Sequence, residues 1–175
     1  MKKLSSQQLL AAALKDLMDV RPFHDITIND ILNDSGVSRT TFYKYFYCKE
    51  NLLEYIFHEE IVKELFYDFS RPCGLRDEDV LNTMLKHRKF YLHALDVPCF
   101  LQLWNRTAYD STYGYFKDCG LEENDLAFFI HSMTAAFVRV NTAFLRGEVN
   151  ATPAEVAHRF EIMLNGTLSA FMKTN

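Results

Sequence analysis

Residues 25–53, DITINDILNDSGVSRTTFYKYFYCKENLL, decide how this chain folds. They spell a short helix, a turn at Gly36, a second short helix and the start of a long third one. Thr27 is placed to cap the first helix, and Asp30, three residues on, can return the bond. Ile28, Ile31 and Leu32 give that helix one apolar stripe. Gly36 stands where the chain must reverse, and glycine takes a positive φ without steric cost. Val37 is expected as a buried plug in the corner. Ser38 is then placed to cap a second helix, from about Arg39 to Tyr45, whose Phe42 and a following Phe46 face inward.

The other faces of that second helix carry Arg39, Thr40, Thr41, Tyr43 and Lys44. Arginine can take a guanine edge in bidentate fashion, and threonine offers thymine both a hydroxyl and a methyl. Tyr43 and Lys44 suit phosphate better than base edges. Lys49 opens the long helix, where free N–H groups and an ammonium could hold a phosphate together. Two short helices joined at glycine occur in many helical proteins, so the outline alone is a weak signal.

The detail is stronger. Thr27, Ile31, Gly36, Val37, Ser38, Thr41, Phe42, Tyr43, Tyr45, Phe46, Lys49, Glu50 and Leu52 form a pattern that resembles the DNA-binding domain of the TetR/AcrR (tetracycline-repressor type) family of transcriptional regulators. The run GVSRTTFYKYF followed by KENLL carries most of that resemblance. It implies DNA contacts for Thr27, Ser38, Arg39, Thr40, Thr41, Tyr43, Lys44 and Lys49. Two positions depart from the pattern. Cys48 stands where serine, aspartate or asparagine commonly caps the long helix, so its cap should be weaker. Tyr47 stands where lysine, proline or glycine is frequent.

The chain has 175 residues and a formal net charge of −4. Residues 1–50 carry seven Lys and Arg against six Asp and Glu, and residues 51–175 carry twelve against seventeen. The acidity therefore lies mainly outside the DNA-reading stretch, whose own basic surplus is thin. A modest salt dependence of binding follows. No run of about eighteen apolar residues occurs, so no membrane span is expected. Gln7, Gln8, Lys15 and Asp16 interrupt the apolar N-terminus, which reads as an amphipathic helix with Ser5 and Gln8 at its cap and not as a leader. A cytoplasmic protein is expected. Cys48, Cys73, Cys99 and Cys119 lack zinc spacing, and the six histidines lack metal spacing. No nucleophile motif, phosphate loop or dinucleotide fingerprint is present, so no enzyme, no metal and no cofactor are expected.

Helix-length segments fill the rest, giving an all-α chain with a helix–turn–helix domain over 1–48 and a helical effector-binding and dimerisation domain over 49–175. The long helix is expected from Lys49 to Phe69, with Leu53, Phe57, Ile61 and Leu65 inward. A break at residues 70–77, a helix over Glu78–Leu95, and another from Pro98 to about Asp118 follow. Ile130, Met133, Phe137, Val140 and Phe144 then alternate three and four apart, like a heptad seam. After Thr152-Pro153-Ala154-Glu155, a capped start, come Phe160, Met163 and Phe171. These two stripes either bury within the chain or meet a second copy in a four-helix dimer. The family resemblance implies a homodimer, which would read two half-sites of palindromic double-stranded DNA.

An aromatic-rich middle suggests a ligand chamber with Phe100, Trp104, Tyr109, Tyr113, Phe128 and His131 as candidate lining, although the same residues could be plain core. His131, within FFIHSM, reads as a hydrogen-bonded core histidine or as a polar anchor. The expected function is a homodimeric regulator, most often a repressor in such a family, released by a small-molecule effector. Two alternatives stand beside it. One is a regulator or coactivator controlled by a protein partner, and the other is a helical ligand-binding protein without DNA binding.

Overall fold

The computed structural model describes residues 4–66 and 73–174, and within them the chain is all-α. Its helices are α1 (Ser6–Met18), α2 (Ile28–Ser35), α3 (Arg39–Tyr45), α4 (Lys49–Phe57), α5 (Lys63–Phe66), α6 (Cys73–Lys86), α7 (Arg88–Leu95), α8 (Pro98–Phe116), α9 (Glu123–Arg146) and α10 (Pro153–Thr174). By packing, the chain divides into two compact units. One comprises residues 1–60 with 87–101, the other 61–86 with 102–175.

In the first unit, α1 starts at a reciprocal cap between Ser5 and Gln8. Leu10, Ala13, Leu14 and Met18 form its buried face, and α2, α3, α4 and α7 pack against it. Leu52, Leu53, Ile56 and Phe57 of α4 are buried, as are Phe90 and Tyr91 of α7. Tyr91 donates its hydroxyl to Glu60 Oε2 at 2.8 Å, and Lys15 pairs with the other oxygen of Glu60. These ties place α4 and α7 with the N-terminal helices, although the sequence suggests a boundary at residue 48.

The long helix differs from expectation. After Phe57 it widens into a π turn over His58–Val62 before α5 begins. The apolar repeat accounts for this. Residues four apart on an α-helix drift by about 40° per step, and a wider turn returns the stripe to one side. Leu53, Phe57, Ile61 and Leu65 are all buried as a result. The expected end at Phe69 lies outside the described residues.

In the second unit, α6 begins at Cys73, inside the expected break, and the expected single helix over 78–95 is interrupted at His87, whose ψ is 40°. α10 packs against α6 and α9. Leu81, Phe144 and Val156 form a buried cluster, flanked by Leu85, Val140, Val149 and Ala151. α9 ends at Gly147 with φ 81°. Thr152 and Glu155 exchange backbone bonds of 2.7 and 3.2 Å to open α10. α9 has the length and hydropathy of a membrane span, yet 56% of its most apolar window is buried inside the chain, which is how a core helix looks.

Candidate nucleic-acid interface

Local bonding fixes the turn between α2 and α3. Thr27 accepts the Asp30 N–H at 3.2 Å, and Asp30 Oδ2 accepts the Thr27 N–H and hydroxyl at 2.8 Å each. Backbone and hydroxyl donors on Thr27 hold the Asp30 carboxyl below the usual carboxylate range, with Arg21 adding at 3.2 Å. Gly36 closes α2 in the left-handed region at φ 67°. Val37 is half-buried, not the sealed plug expected, and its N–H bonds Ser35 Oγ at 3.2 Å. Ser38 Oγ accepts the Thr41 N–H at 3.2 Å and lies 2.8 Å from the Thr41 hydroxyl.

That cap sets the orientation of α3. Phe42 is fully buried, and its ring meets Phe46 at 5.8 Å between centres. Phe46 in turn packs on Tyr55 of α4 at 5.5 Å. With this side anchored, Arg39, Thr40, Tyr43 and Lys44 are exposed, and Thr41 is half-buried. Thr27 and Ser38 are exposed at the ends of α2 and α3. The helix therefore presents a guanidinium, hydroxyls, a phenol and an ammonium on one solvent face. Tyr45 and Tyr47 extend it, Tyr47 being 90% exposed.

Sequence reasoning missed two features. Arg39 donates to Asn29 Oδ1 across the turn, a pairing between helices that no spacing rule reveals. Lys49 is expected on a phosphate, but its ammonium faces inward. It donates to the carbonyls of Phe23 at 2.7 Å, Ile26 at 2.6 Å and His24 at 3.4 Å, and sits 4.4 Å from the Phe23 ring centre. An ammonium has three N–H donors, so this geometry makes Lys49 a strap between α4 and the α1–α2 connection. Cys48 precedes α4 without a side-chain cap bond, the weak cap expected there.

The six candidate ligand residues are divided between the two units. Phe100 is buried in the first unit against Phe57, and Trp104 is buried in the second. Tyr109 stacks with Tyr113 at 6.5 Å and meets the His131 ring at a tilt at 4.9 Å, and Tyr113 and His131 are exposed. His131 is thus no core histidine. Phe128 is 65% exposed, beside Phe171. A small cavity in the second unit has other walls, among them Arg76, Asp77, Ser111, Tyr115, Phe137 and Phe160.

The candidate dimer residues also divide. Ile130, Met133, Phe137, Phe144 and Phe160 are buried within their own unit, and Phe137 and Phe160 touch at 5.2 Å. These five contribute to the core of their own chain. Val140, Met163 and Phe171 are half-buried. The large apolar side chains left open on α9 and α10 are Phe128, Ile162 and Met172. Cys48, Cys99 and Cys119 are free thiols. Among the described residues, no cluster of His, Cys, Asp or Glu could hold a metal.

Comparison with known proteins points the same way as α2–α3. Residues 9–56 match the model of the bacterial regulatory proteins of the tetR family. An 80-residue stretch is 38% identical to the HTH-type dhaKLM operon transcriptional activator DhaS of Lactococcus lactis subsp. lactis strain IL1403. That stretch spans 46% of this chain and 42% of the relative. Among solved structures, a dihydroxyacetone kinase operon activator DhaS superposes with a TM-score of 0.79 at 19% identity, over 97% of this chain and 99% of its own. A TetR transcriptional regulator from Streptococcus agalactiae 2603V gives 0.69 at 16% identity, over 91% and 93%. At such identities these two likenesses establish the fold.

Proposed function

We infer that this chain, which belongs through residues 9–56 to the tetR family of bacterial regulatory proteins, is a DNA-binding transcriptional regulator that acts as a homodimer on a palindromic operator. One observation carries the inference. Phe42 is sealed in the core while Arg39, Thr40, Tyr43 and Lys44 of the same short helix stand in solvent. A helix anchored on one side and polar on the other is what a major groove accepts. Arg39 and Thr40 are assigned to base edges, and Thr27, Ser38, Tyr43 and Lys44 to phosphate. Thr41, whose hydroxyl lies against Ser38, takes the edge of that contact.

A single helix of this length buries too little surface for strong specificity, so two copies are needed. Phe128, Ile162 and Met172, exposed on α9 and α10, are the apolar groups available for the second copy. The long helix links recognition to control. An effector that displaces it changes the separation of the two recognition helices from about one helical turn, 34 Å, and one half-site is lost.

The family resemblance implies repression, the commoner role there. The 38% identity to an operon activator over 80 residues favours activation. A reporter driven by the DNA flanking this gene decides between them: expression falls when the protein is supplied to a repressor's promoter and rises at an activator's. A gel shift on the same DNA tests the inference itself. Retardation is expected at low salt, with base preference relaxed in Arg39→Ala. A dimer that leaves all of this DNA unshifted would refute it.

A further inference from the structure

Arg39 is the first residue of α3, and its guanidinium donates from Nη2 to Asn29 Oδ1 on α2. Both side chains are exposed, so core packing does not hold them together. The first turn of a helix presents free N–H groups and a partial positive charge, and it offers a cation nothing to bind. The acceptor comes instead from the second residue of the neighbouring helix. That helix is a firm support. Ile31 is fully buried, Thr27 and Asp30 close its start with bonds of 2.8 and 3.2 Å, and Gly36 closes its end. Ser38 fixes the start of α3 in the same way, through the Thr41 N–H at 3.2 Å.

We propose that Asn29 is a positioning residue for DNA reading, which holds the Arg39 guanidinium in the orientation that takes a guanine edge. The proposal rests on the regulator reading and extends it to a residue outside the recognition helix. Arginine carries five N–H donors in a planar fork. Of the two hydrogens on Nη2, one lies alongside Nε–H and the other alongside Nη1–H. Whichever of them Asn29 takes, one complete pair of donors stays open, and a pair is what guanine O6 and N7 accept. The amide matters as well. A carboxylate would hold the arginine and cancel its charge, whereas Asn29 leaves that charge to the DNA. Immobilising a free arginine side chain on binding lowers affinity by about three- to tenfold. A guanidinium already held avoids that loss. It also has fewer ways to satisfy a wrong base, so the gain falls on one base pair.

Duplexes selected by the full-length parent from a random pool supply the probe, and each base pair is then replaced in turn in competition binding. Arg39→Ala should flatten the preference at one G·C pair in each half-site. Asn29→Ala should weaken the preference at that same pair by about three- to tenfold. The other positions, the salt slope and the melting temperature should stay at the parent values. Asn29→Asp, which keeps the acceptor oxygen, should restore the preference at that pair while lowering affinity for every duplex. In the Arg39→Ala background, Asn29→Ala should add no further loss there. An Asn29→Ala variant that reads the pair as the parent does would overturn the role, as would a preference that Asn29→Asp fails to restore. A loss of equal size with and without Arg39 would make Asn29 a direct contact, and a loss spread evenly over all positions would make it structural; either result removes the positioning role. A parent that selects no sequence refutes the regulator reading and takes this role with it.

Discussion

Two buried or half-buried charges do opposite kinds of work, and each can be tested alone. Asp77 is raised from an ordinary 3.8 to about 7 by burial, with Arg76 opposing from its own helix and Glu161 adding from α10. A carboxyl whose folded pKa lies above its unfolded one takes up a proton on folding. Its penalty is absent below the unfolded value and grows as pH rises through the folded one. A shift of this size corresponds to roughly 4 kcal/mol. Asp77→Asn should therefore be more stable than the parent at pH 8, with the gap closing toward pH 4 in paired thermal melts. A gap that stays constant over that range would show that Asp77 does not titrate on folding. Lys49 is the second case. With its ammonium on three carbonyls, Lys49→Met should cost about 1–3 kcal/mol in chemical denaturation. The salt slope of DNA binding should stay at the parent value. Lys44→Ala, on the exposed face of α3, should lower that slope by about one with little loss of stability. A flattened slope in Lys49→Met would return Lys49 to phosphate.

At the scale of elements, the turn between α2 and α3 is where sequence and structure agree in most detail. Thr27, Asp30, Gly36, Ser38 and Phe42 each meet partners within a few residues, and those local bonds are what a one-dimensional pattern records. Gly36 is the sharpest instance. It sits at φ 67°, and a Cβ there would meet nothing within 4 Å. Gly36→Ala thus carries conformational strain without a clash, about 1–2 kcal/mol. It should lower the melting temperature by several degrees, and a cost near zero would mean that the turn relaxes. What the sequence hid was set by distance along the chain. Lys49 finds carbonyls 23 to 26 residues away, and Arg39 meets Asn29 from another helix. His131 looks buried in FFIHSM, yet its flanking phenylalanines divide, Phe129 inward and Phe128 outward. The π turn over His58–Val62 belongs to the same class, because an every-fourth repeat shows the drift but not where the backbone absorbs it.

For the whole molecule, the decisive quantity is how many copies reach the DNA. Of the heptad-like residues of α9 and α10, Phe137 and Phe160 meet inside the chain at 5.2 Å, while Val140, Met163 and Phe171 stay half-buried. The outward set offers the direct test of which face a dimer would use, since Ile162 is 58% exposed in the middle of α10. Standard interfaces bury about 800 Å² per partner around a central apolar core, so a charge placed in that core is repelled by its own symmetry mate. Ile162→Glu should give a folded monomer in sedimentation at concentrations where the parent is a dimer. Its melting temperature should stay close to the parent's, because the residue contributes little to its own core. Phe137→Ala is the contrast, since it empties a buried site and should cost about 3–5 kcal/mol whatever the oligomeric state. The Ile162→Glu monomer keeps α3 intact. It should lose its advantage for a palindrome over a single half-site while retaining weak, salt-sensitive binding to both. If this variant sediments as a dimer, the second copy docks on another face of the chain. If it is a monomer that still prefers the palindrome, the two-fold arrangement is not the source of specificity.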